Sequence, residues 1–375
     1  MSTLSIHFPG KLVFGNGCLH QLPEEIAAFS PARVFIVTIP PLLPSLKGLI
    51  ESLEEKGIHV VTNTDIVREP SFQDFHRIMA EATPYNPDVV IGIGGGSVLD
   101  IAKLVAAQLG NDQTLAGYVG IGLLKQRARY LVCIPATSGT GSEVSPNAIL
   151  VDDADDQKKG IISPFLVPDI VYVDPLLTVS VPPDITAATG LDALTHCLEA
   201  YTNKFAQPFI DVYAFEGMRL IAANLVNAVK NGADEEARAH VAMGSLLGGF
   251  CLGPVNTAAV HALSYPLGSS FHLPHGLSNA LLLPYVMEFN LPAAPERYAA
   301  VAQALGCSTA GQGVERVRSL IHECGLPATL KEVGVPYDAI VTMAADAMKI
   351  TRLLKNNPRP VTMQDAINIY KSAYE

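Results

Sequence analysis

The sequence predicts an α/β half followed by an all-helical half, and three observations predict it. Up to about residue 180, short β-branched runs alternate with stretches of helical periodicity, as in a mostly parallel sheet covered by helices. After Asp174-Pro175 the β-rich runs stop, and Pro182-Pro183-Asp184 opens a helix with proline tolerated in its first turn. The chain of 375 residues also exceeds the roughly 250–300 at which single cores stop growing, so two domains are expected, 1–180 and 181–375. The expected strands are 34–37, 58–62, 89–93, 130–134 and 170–173, with amphipathic stretches at 41–56 and 71–83 and a helical segment at 98–109, a doubly wound arrangement. Beyond 180 the apolar spacing predicts helices near 184–203, 208–232, 236–252, 275–289, 293–305, 311–324 and 362–374. No Gly/Ser/Pro-rich linker, internal repeat or low-complexity tract interrupts the chain.

Composition narrows the function classes. Hydrophobic residues make up 49% and charged ones 16%, against about 25% charged in average proteins, which excludes intrinsic disorder. Runs such as Ala280-Leu281-Leu282-Leu283 fall far short of the ~18–20 apolar residues of a membrane span. The balance of 25 Lys+Arg against 36 Asp+Glu gives −11, with no basic run longer than Lys158-Lys159, so nucleic acid and anionic membranes are poor partners. The N-terminus lacks the basic-then-apolar profile of a secretory signal, and a cytoplasmic protein is expected. The six cysteines are scattered among apolar neighbours without zinc-knuckle or redox spacing, as for reduced, buried thiols.

Two loops carry close-approach chemistry. Strand 89–93 runs into Gly94-Gly95-Gly96-Ser97, where glycines let backbone N–H groups approach a diphosphate and a helix end adds a favourable dipole. Ser97 and Asp100 have the spacing of a capping box. The glycine spacing is neither the Rossmann fingerprint nor a P-loop, and a tight strand-to-helix turn explains it equally well. The second loop, Pro135-Ala136-Thr137-Ser138-Gly139-Thr140-Gly141-Ser142-Glu143, sets four hydroxyls among small residues after the next strand. Loops at the C-terminal ends of adjacent strands are where an open α/β sheet binds its ligand; a Ser/Thr-rich surface turn is the alternative.

In the helical half, Asp192 and His196 stand at i and i+4 on one helix face. His261, His272 and His275 follow in apolar segments marked by Gly and Pro. An isolated buried histidine is usually a hydrogen-bonded core residue, but an Asp/His pair with further imidazoles is a donor set. Three imidazoles and one carboxylate suit Fe(II) or Zn(II), whereas Mg(II) and Ca(II) prefer all-oxygen ligands.

At this point the chain resembles the iron-containing (group III) alcohol dehydrogenases, a branch of the superfamily that also holds glycerol dehydrogenase and dehydroquinate synthase. The resemblance rests on Gly94-Gly95-Gly96-Ser97-Val98-Leu99-Asp100-Ile101-Ala102-Lys103, Pro135-Ala136-Thr137-Ser138-Gly139-Thr140-Gly141-Ser142-Glu143-Val144, Gly190-Leu191-Asp192-Ala193-Leu194-Thr195-His196, Pro274-His275-Gly276 and Asn356-Asn357-Pro358-Arg359-Pro360. It implies a dehydroquinate synthase-like fold, with a dinucleotide-binding domain followed by an all-helical metal-binding domain. It implies that Asp192, His196, His261 and His275 bind one divalent metal, Fe(II) or Zn(II). It places the dinucleotide diphosphate at Gly94, Gly95, Gly96 and Ser97, sets Thr137, Ser138, Thr140 and Ser142 along the cofactor, and brings Asp100 and Lys158 near the nicotinamide ribose. The implied activity is hydride transfer between NAD or NADP and a small primary or secondary alcohol, aldehyde or ketone, by a homodimer or higher homo-oligomer.

Two departures from the family pattern matter. NAD-preferring members commonly have an acidic residue after the first strand to hold the adenosine ribose, where this chain has Val37-Thr38-Ile39-Pro40, so both dinucleotides stay open. Tyr265 stands four residues after His261 where many relatives have a second histidine near substrate and proton relay. A phenol is a poorer base at neutral pH than an imidazole, and nearby His272 is the alternative proton conduit. Maleylacetate reductase and hydroxyacid–oxoacid transhydrogenase activities also occur among relatives. A dehydroquinate synthase-like lyase fits less well, because a phosphorylated, carboxylated substrate calls for Lys and Arg that the metal-bearing segments lack.

Overall fold

The computed structural model describes residues 4–66, 68–154 and 157–375. Its backbone contacts divide the chain into two compact units. One comprises Ile6–Thr137 and Ser142–Thr178; the other comprises residues 4–5, Ser138–Gly141 and Val179–Glu375.

Among its described residues the first unit carries nine strands: β1 (Lys11–Phe14), β2 (Arg33–Val37), β3 (His59–Asn63), β4 (Val89–Gly94), β5 (Gly120–Ile121), β6 (Tyr130–Pro135), β7 (Asn147–Asp152), β8 (Gln157–Ile162) and β9 (Ile170–Val173). Its helices are α1 (Leu22–Ala27), α2 (Leu43–Glu55), α3 (Phe72–Tyr85) and α4 (Gly96–Gln108). Six strands form a wholly parallel sheet in the order β1-β9-β6-β4-β2-β3, and β5-β8-β7 form a small mixed sheet. Alternate residues of the parallel sheet feed two cores. Val34, Ile36, Val89, Ile91 and Ile93 pack with Leu22, Ile26, Leu46 and Leu53 of α1 and α2. Phe35, Val37, Val90 and Cys133 pack on the other face with Phe75, Ile78, Leu99 and Ala102 of α3 and α4. Gly92 permits this second layer to close, since a Cβ there would lie 2.7 Å from the Ala102 Cβ. The chain reverses its direction across the sheet between β2 and β4, which puts the crevice of a doubly wound fold beside residues 94–97.

The five expected strands are present. β1, β5, β7 and β8 were not anticipated: β1 and β5 have four and two residues, β7 is bounded by Asn147 and Asp152, and β8 opens with Gln157-Lys158-Lys159-Gly160, residues that strands disfavour.

The second unit is helical: α5 (Pro183–Thr202), α6 (Pro208–Lys230), α7 (Glu235–Leu252), α8 (Ala259–Phe271), α9 (His275–Asn290), α10 (Pro295–Ala304), α11 (Ala310–Glu323), α12 (Ile340–Ala347), α13 (Thr351–Leu354) and α14 (Met363–Ser372). Its core is one continuous cluster around α5, which is buried along nearly its whole length. Glycines bring α5, α6 and α7 together: a Cβ on Gly190 would meet Leu225 at 2.2 Å, one on Gly217 would meet Cys197 Sγ at 2.5 Å, and one on Gly244 would meet Ile221 at 2.6 Å. Three helices lie outside the expected set: α8, α12 and α13. Among the described residues no helix is long and apolar enough to cross a membrane.

Candidate metal centre

Helices α5, α8 and α9 build the site. Asp192, His196 and Glu199 follow one face of α5 at i, i+4 and i+7, and all three are buried. His261 lies in the first turn of α8, with Tyr265 one turn later. His275 is the first residue of α9, after Pro274, with Asn279 one turn on. Gly276 allows α9 to begin against α5, since a Cβ there would lie 2.2 Å from the Ala188 carbonyl oxygen.

The Nε2 atoms of His196, His261 and His275 stand 3.7, 3.6 and 3.7 Å from the same oxygen, Asp192 Oδ1. These separations exceed a hydrogen bond. Metal–ligand lengths of about 2.1 Å hold tetrahedral ligand atoms about 3.4 Å apart, so each imidazole–carboxylate separation is that of two ligands on one cation, although among the described residues His196 lies outside the mutually close set. Asp192, His261 and His275 each offer a ligand atom within 4.8 Å of the others. The His196 and His261 rings stack with centroids 4.8 Å apart, and the His275 ring meets His261 edge-on at 5.2 Å. His275 is a third exposed while the other three side chains are below a tenth, so the cluster opens on the His275 side.

Electrostatics favour positive charge here. Burial pushes the Asp192 carboxyl up, yet His196, His275 and His261 together outweigh it and hold the group well below the usual carboxylate range. Burial pushes His196 down, with Asp192 opposing. His261 also loses to burial, but Asp192 and Glu199 more than compensate and raise it to about 9.

Sequence reasoning passed over two residues of this centre. Glu199 accepts hydrogen bonds from the backbone N–H groups of Ala258 (2.9 Å) and Val260 (2.6 Å), and its Oε2 lies 2.6 Å from His261 Nδ1. Asn279 Nδ2 donates to Asp192 Oδ1 at 2.7 Å and lies 3.2 Å from His261 Nε2. The spacing that singled out Asp192 and His196 also reaches both, for Glu199 extends that α5 face and Asn279 stands four residues after His275.

Tyr265 is half-buried with its ring 6.3 Å from that of His275. His272 is exposed and ends α8 in the left-handed region at φ 54°. Among the described residues no hydrogen bond, ion pair or ring contact joins His272 to the cluster, so the structure does not bring it there.

The two loops of the α/β unit lie side by side, because a Cβ on Gly95 would be 3.5 Å from Thr137 Oγ1. The expected capping box of Ser97 and Asp100 is not formed: Gly95 precedes α4, no side chain caps the helix, and α4 starts at Gly96. Asp100 is instead committed across the sheet, accepting from the Ser142 hydroxyl (2.5 Å) and the Ile149 N–H (2.9 Å). Ser142 accepts in turn from Lys103 Nζ at 2.9 Å, and that buried ammonium also donates to the carbonyls of Ser145 and Asn147 at 2.9 Å each. Burial pushes Asp100 up and Lys103 down, and each charge opposes the shift of the other. Lys158 in β8 pairs with Glu69 at 2.6 Å. Ser138 and Thr140 belong to the helical unit, where a Cβ on Gly141 (φ +62°) would lie 2.3 Å from the Gly249 Cα.

Comparison with known proteins matches both halves. Residues 9–175 match the family model for iron-containing alcohol dehydrogenase, and 186–374 match that for the C-terminal part of the Fe-containing alcohol dehydrogenase family. The chain is 38% identical over 389 residues to long-chain-alcohol dehydrogenase 1 of Geobacillus thermodenitrificans, covering 100% of this chain and 98% of that protein. A crystal structure of 1,3-propanediol oxidoreductase superposes with a TM-score of 0.95 at 31% identity, covering 100% of both chains. Sulfoacetaldehyde reductase from Bifidobacterium kashiwanohense, solved in complex with NAD+, superposes at 0.91 with 26% identity, covering 100% of this chain and 99% of that one. With both halves of the sequence and the whole fold in agreement, the chain belongs to the iron-containing alcohol dehydrogenase family and is an alcohol/aldehyde oxidoreductase of that type.

Proposed function

We propose that the chain interconverts a small primary or secondary alcohol with its aldehyde or ketone, exchanging a hydride with NAD or NADP, at one Fe(II) or Zn(II) held by Asp192, His196, His261 and His275. The observation that carries this reading is the convergence of three imidazole Nε2 atoms on Asp192 Oδ1 at 3.6–3.7 Å. When bound, the cation supplies Lewis acidity to the substrate oxygen and the nicotinamide supplies the hydride chemistry.

The protein's own residues set the conditions. Asp192 brings a single negative charge against three imidazoles, so a divalent cation is not neutralised by its ligands. To Tyr265, whose ring lies 6.3 Å from that of His275, this reading assigns the passage of a proton between the open side of the cluster and solvent. Gly94, Gly95 and Gly96 open the backbone at the start of α4 to a diphosphate, and Ser97 and Thr137 add hydroxyls. Asp100, Ser142 and Lys103 hold the second loop in shape. The relatives are named for different substrates, from long-chain alcohols to propanediol and sulfoacetaldehyde. The scarcity of Lys and Arg in the metal-bearing segments favours an uncharged or weakly charged substrate.

The test is to prepare the protein without chelator, load it with Fe(II) or Zn(II), and follow nicotinamide absorbance across short alcohols and aldehydes. His261→Ala is expected to lose the metal and turnover while still binding NAD(P)H in titration calorimetry; retained turnover would contradict the ligand set. Ile39 offers no carboxylate to bind a ribose 2′-hydroxyl or repel a 2′-phosphate. The kcat/KM values with NAD and NADP are therefore expected to agree within about tenfold, or about 1.4 kcal/mol.

A further inference from the structure

We propose that Glu199 is a positioning residue of the metal centre, fixing the ring proton of His261 on Nδ1 and so presenting the Nε2 lone pair to the cation. The inference rests on the metal reading above and extends it to a residue one turn beyond His196 on α5.

The geometry is specific. Glu199 Oε1 takes the Val260 N–H at 2.6 Å, and Oε2 takes the Ala258 N–H at 2.9 Å together with His261 Nδ1 at 2.6 Å. Both oxygens accept from backbone N–H groups, the pattern of an ionised carboxylate, and against a carboxylate the ring completes its contact with a proton on Nδ1. As a metal ligand the imidazole is neutral and has one proton, which on Nδ1 leaves the Nε2 lone pair for the cation. Helix α8 has no side-chain cap of its own at Ala258; Glu199 satisfies its first N–H groups from the neighbouring helix. One carboxylate thus fixes both the start of α8 and the ring carried two residues into it. The tail motif secures the same turn from outside, since Asn356 Nδ2 donates to the Thr257 carbonyl at 2.8 Å.

Glu199→Gln keeps the size but replaces one acceptor with an NH2 group. Either a backbone N–H then faces another donor, or His261 moves its proton to Nε2, on the cation side. The experiment titrates wild type and Glu199→Gln with Zn(II) against a chelator of known affinity, and records melting temperatures with and without Zn(II). A positioning role predicts about 10–100-fold weaker Zn(II) binding in the variant and a smaller Zn(II)-induced rise in melting temperature. A pure capping role lowers both melting temperatures equally and leaves Zn(II) affinity unchanged, which overturns the proposal. Should the variant not fold, the wild type decides by NMR of 15N-histidine, with the His261 signals assigned through a His261→Asn variant. In the Zn(II)-loaded protein a proton on Nδ1 is expected, and one on Nε2 overturns the proposal. A wild type that binds no Zn(II) overturns the metal reading itself, and the proposal falls with it.

Discussion

A methyl group at position 276 has no space to occupy. A Cβ there would lie 2.2 Å from the Ala188 carbonyl oxygen and 3.3 Å from the Asp192 Cβ, and the first of these is backbone that no rotamer change can move. Gly276→Ala is expected to push α9 away from α5, at an overpacking cost of about 1–3 kcal/mol, and to carry His275 away from Asp192. Urea unfolding and zinc stoichiometry measure the two effects separately; wild-type values in both would refute the account. The same residue marks how far the sequence is legible at this scale. Asp192 and His196 stand out because four residues separate them on one helix, and Pro274-His275-Gly276 stands out as a motif. Glu199 shares the helix face of Asp192 and His196, but its role stays hidden because its partners, Ala258, Val260 and His261, lie about sixty positions away, and only the packing of α5 on α8 reveals them. Asn279 escapes for a similar reason: an amide inside an apolar helix reads as a tolerated polar residue until Asp192 is seen 2.7 Å from it.

At the scale of elements, two copies of one local pattern end differently. Ser71-Phe72-Gln73-Asp74 forms a full capping box at the start of α3, whereas Ser97-Val98-Leu99-Asp100 forms none. The difference is tertiary, because Asp100 is drawn to Ser142 and the β7 backbone, while Asp74 stays with the Ser71 N–H and the Arg77 guanidinium. Helix α8 shows the reverse error: Pro266 lies inside it and Ala258 is a poor cap, so local signals argue against a helix that Glu199 makes possible from outside. The α3 box also has a pH signature. Burial pushes the Asp74 carboxyl up, but the Ser71 N–H and Arg77 outweigh it and hold the group below its ordinary value. A depressed folded pKa contributes stability above the unfolded pKa of about 3.9, and that contribution is lost as pH falls through the folded value. Asp74→Ala is therefore expected to cost roughly 1 kcal/mol at pH 7, with the gap to wild type narrowing below about pH 4. Denaturant unfolding at the two pH values checks it, and a gap that does not change with pH would rule out the ionised box.

For the whole molecule, the sequence reading cuts the chain after residue 180 from the loss of β-rich runs, and the contact division falls between Thr178 and Val179. Periodicity could not reveal that Ser138–Gly141 leaves the α/β unit for the helical one, since that choice depends on close packing such as Gly141 on Gly249. The cysteines offer a way to test whether the two units open separately. All six are free, and Cys307 alone is not buried. Burial pushes Cys18 and Cys324 up to about 11, Cys133 and Cys197 up to about 12, and Cys251 well above its ordinary value. Alkylation requires an accessible thiolate, so Cys307, which is not buried, is expected to react first and the other five only when their unit opens. Cys18 and Cys133 lie in the α/β unit, and Cys197, Cys251 and Cys324 in the helical one. If each unit is a cooperative opening unit, peptide mass spectrometry after timed iodoacetamide labelling will find the first two cysteines reacting together at one rate and the other three at another. A single common rate for all five would mean that the chain opens as one body, and the division into two units would then describe packing alone.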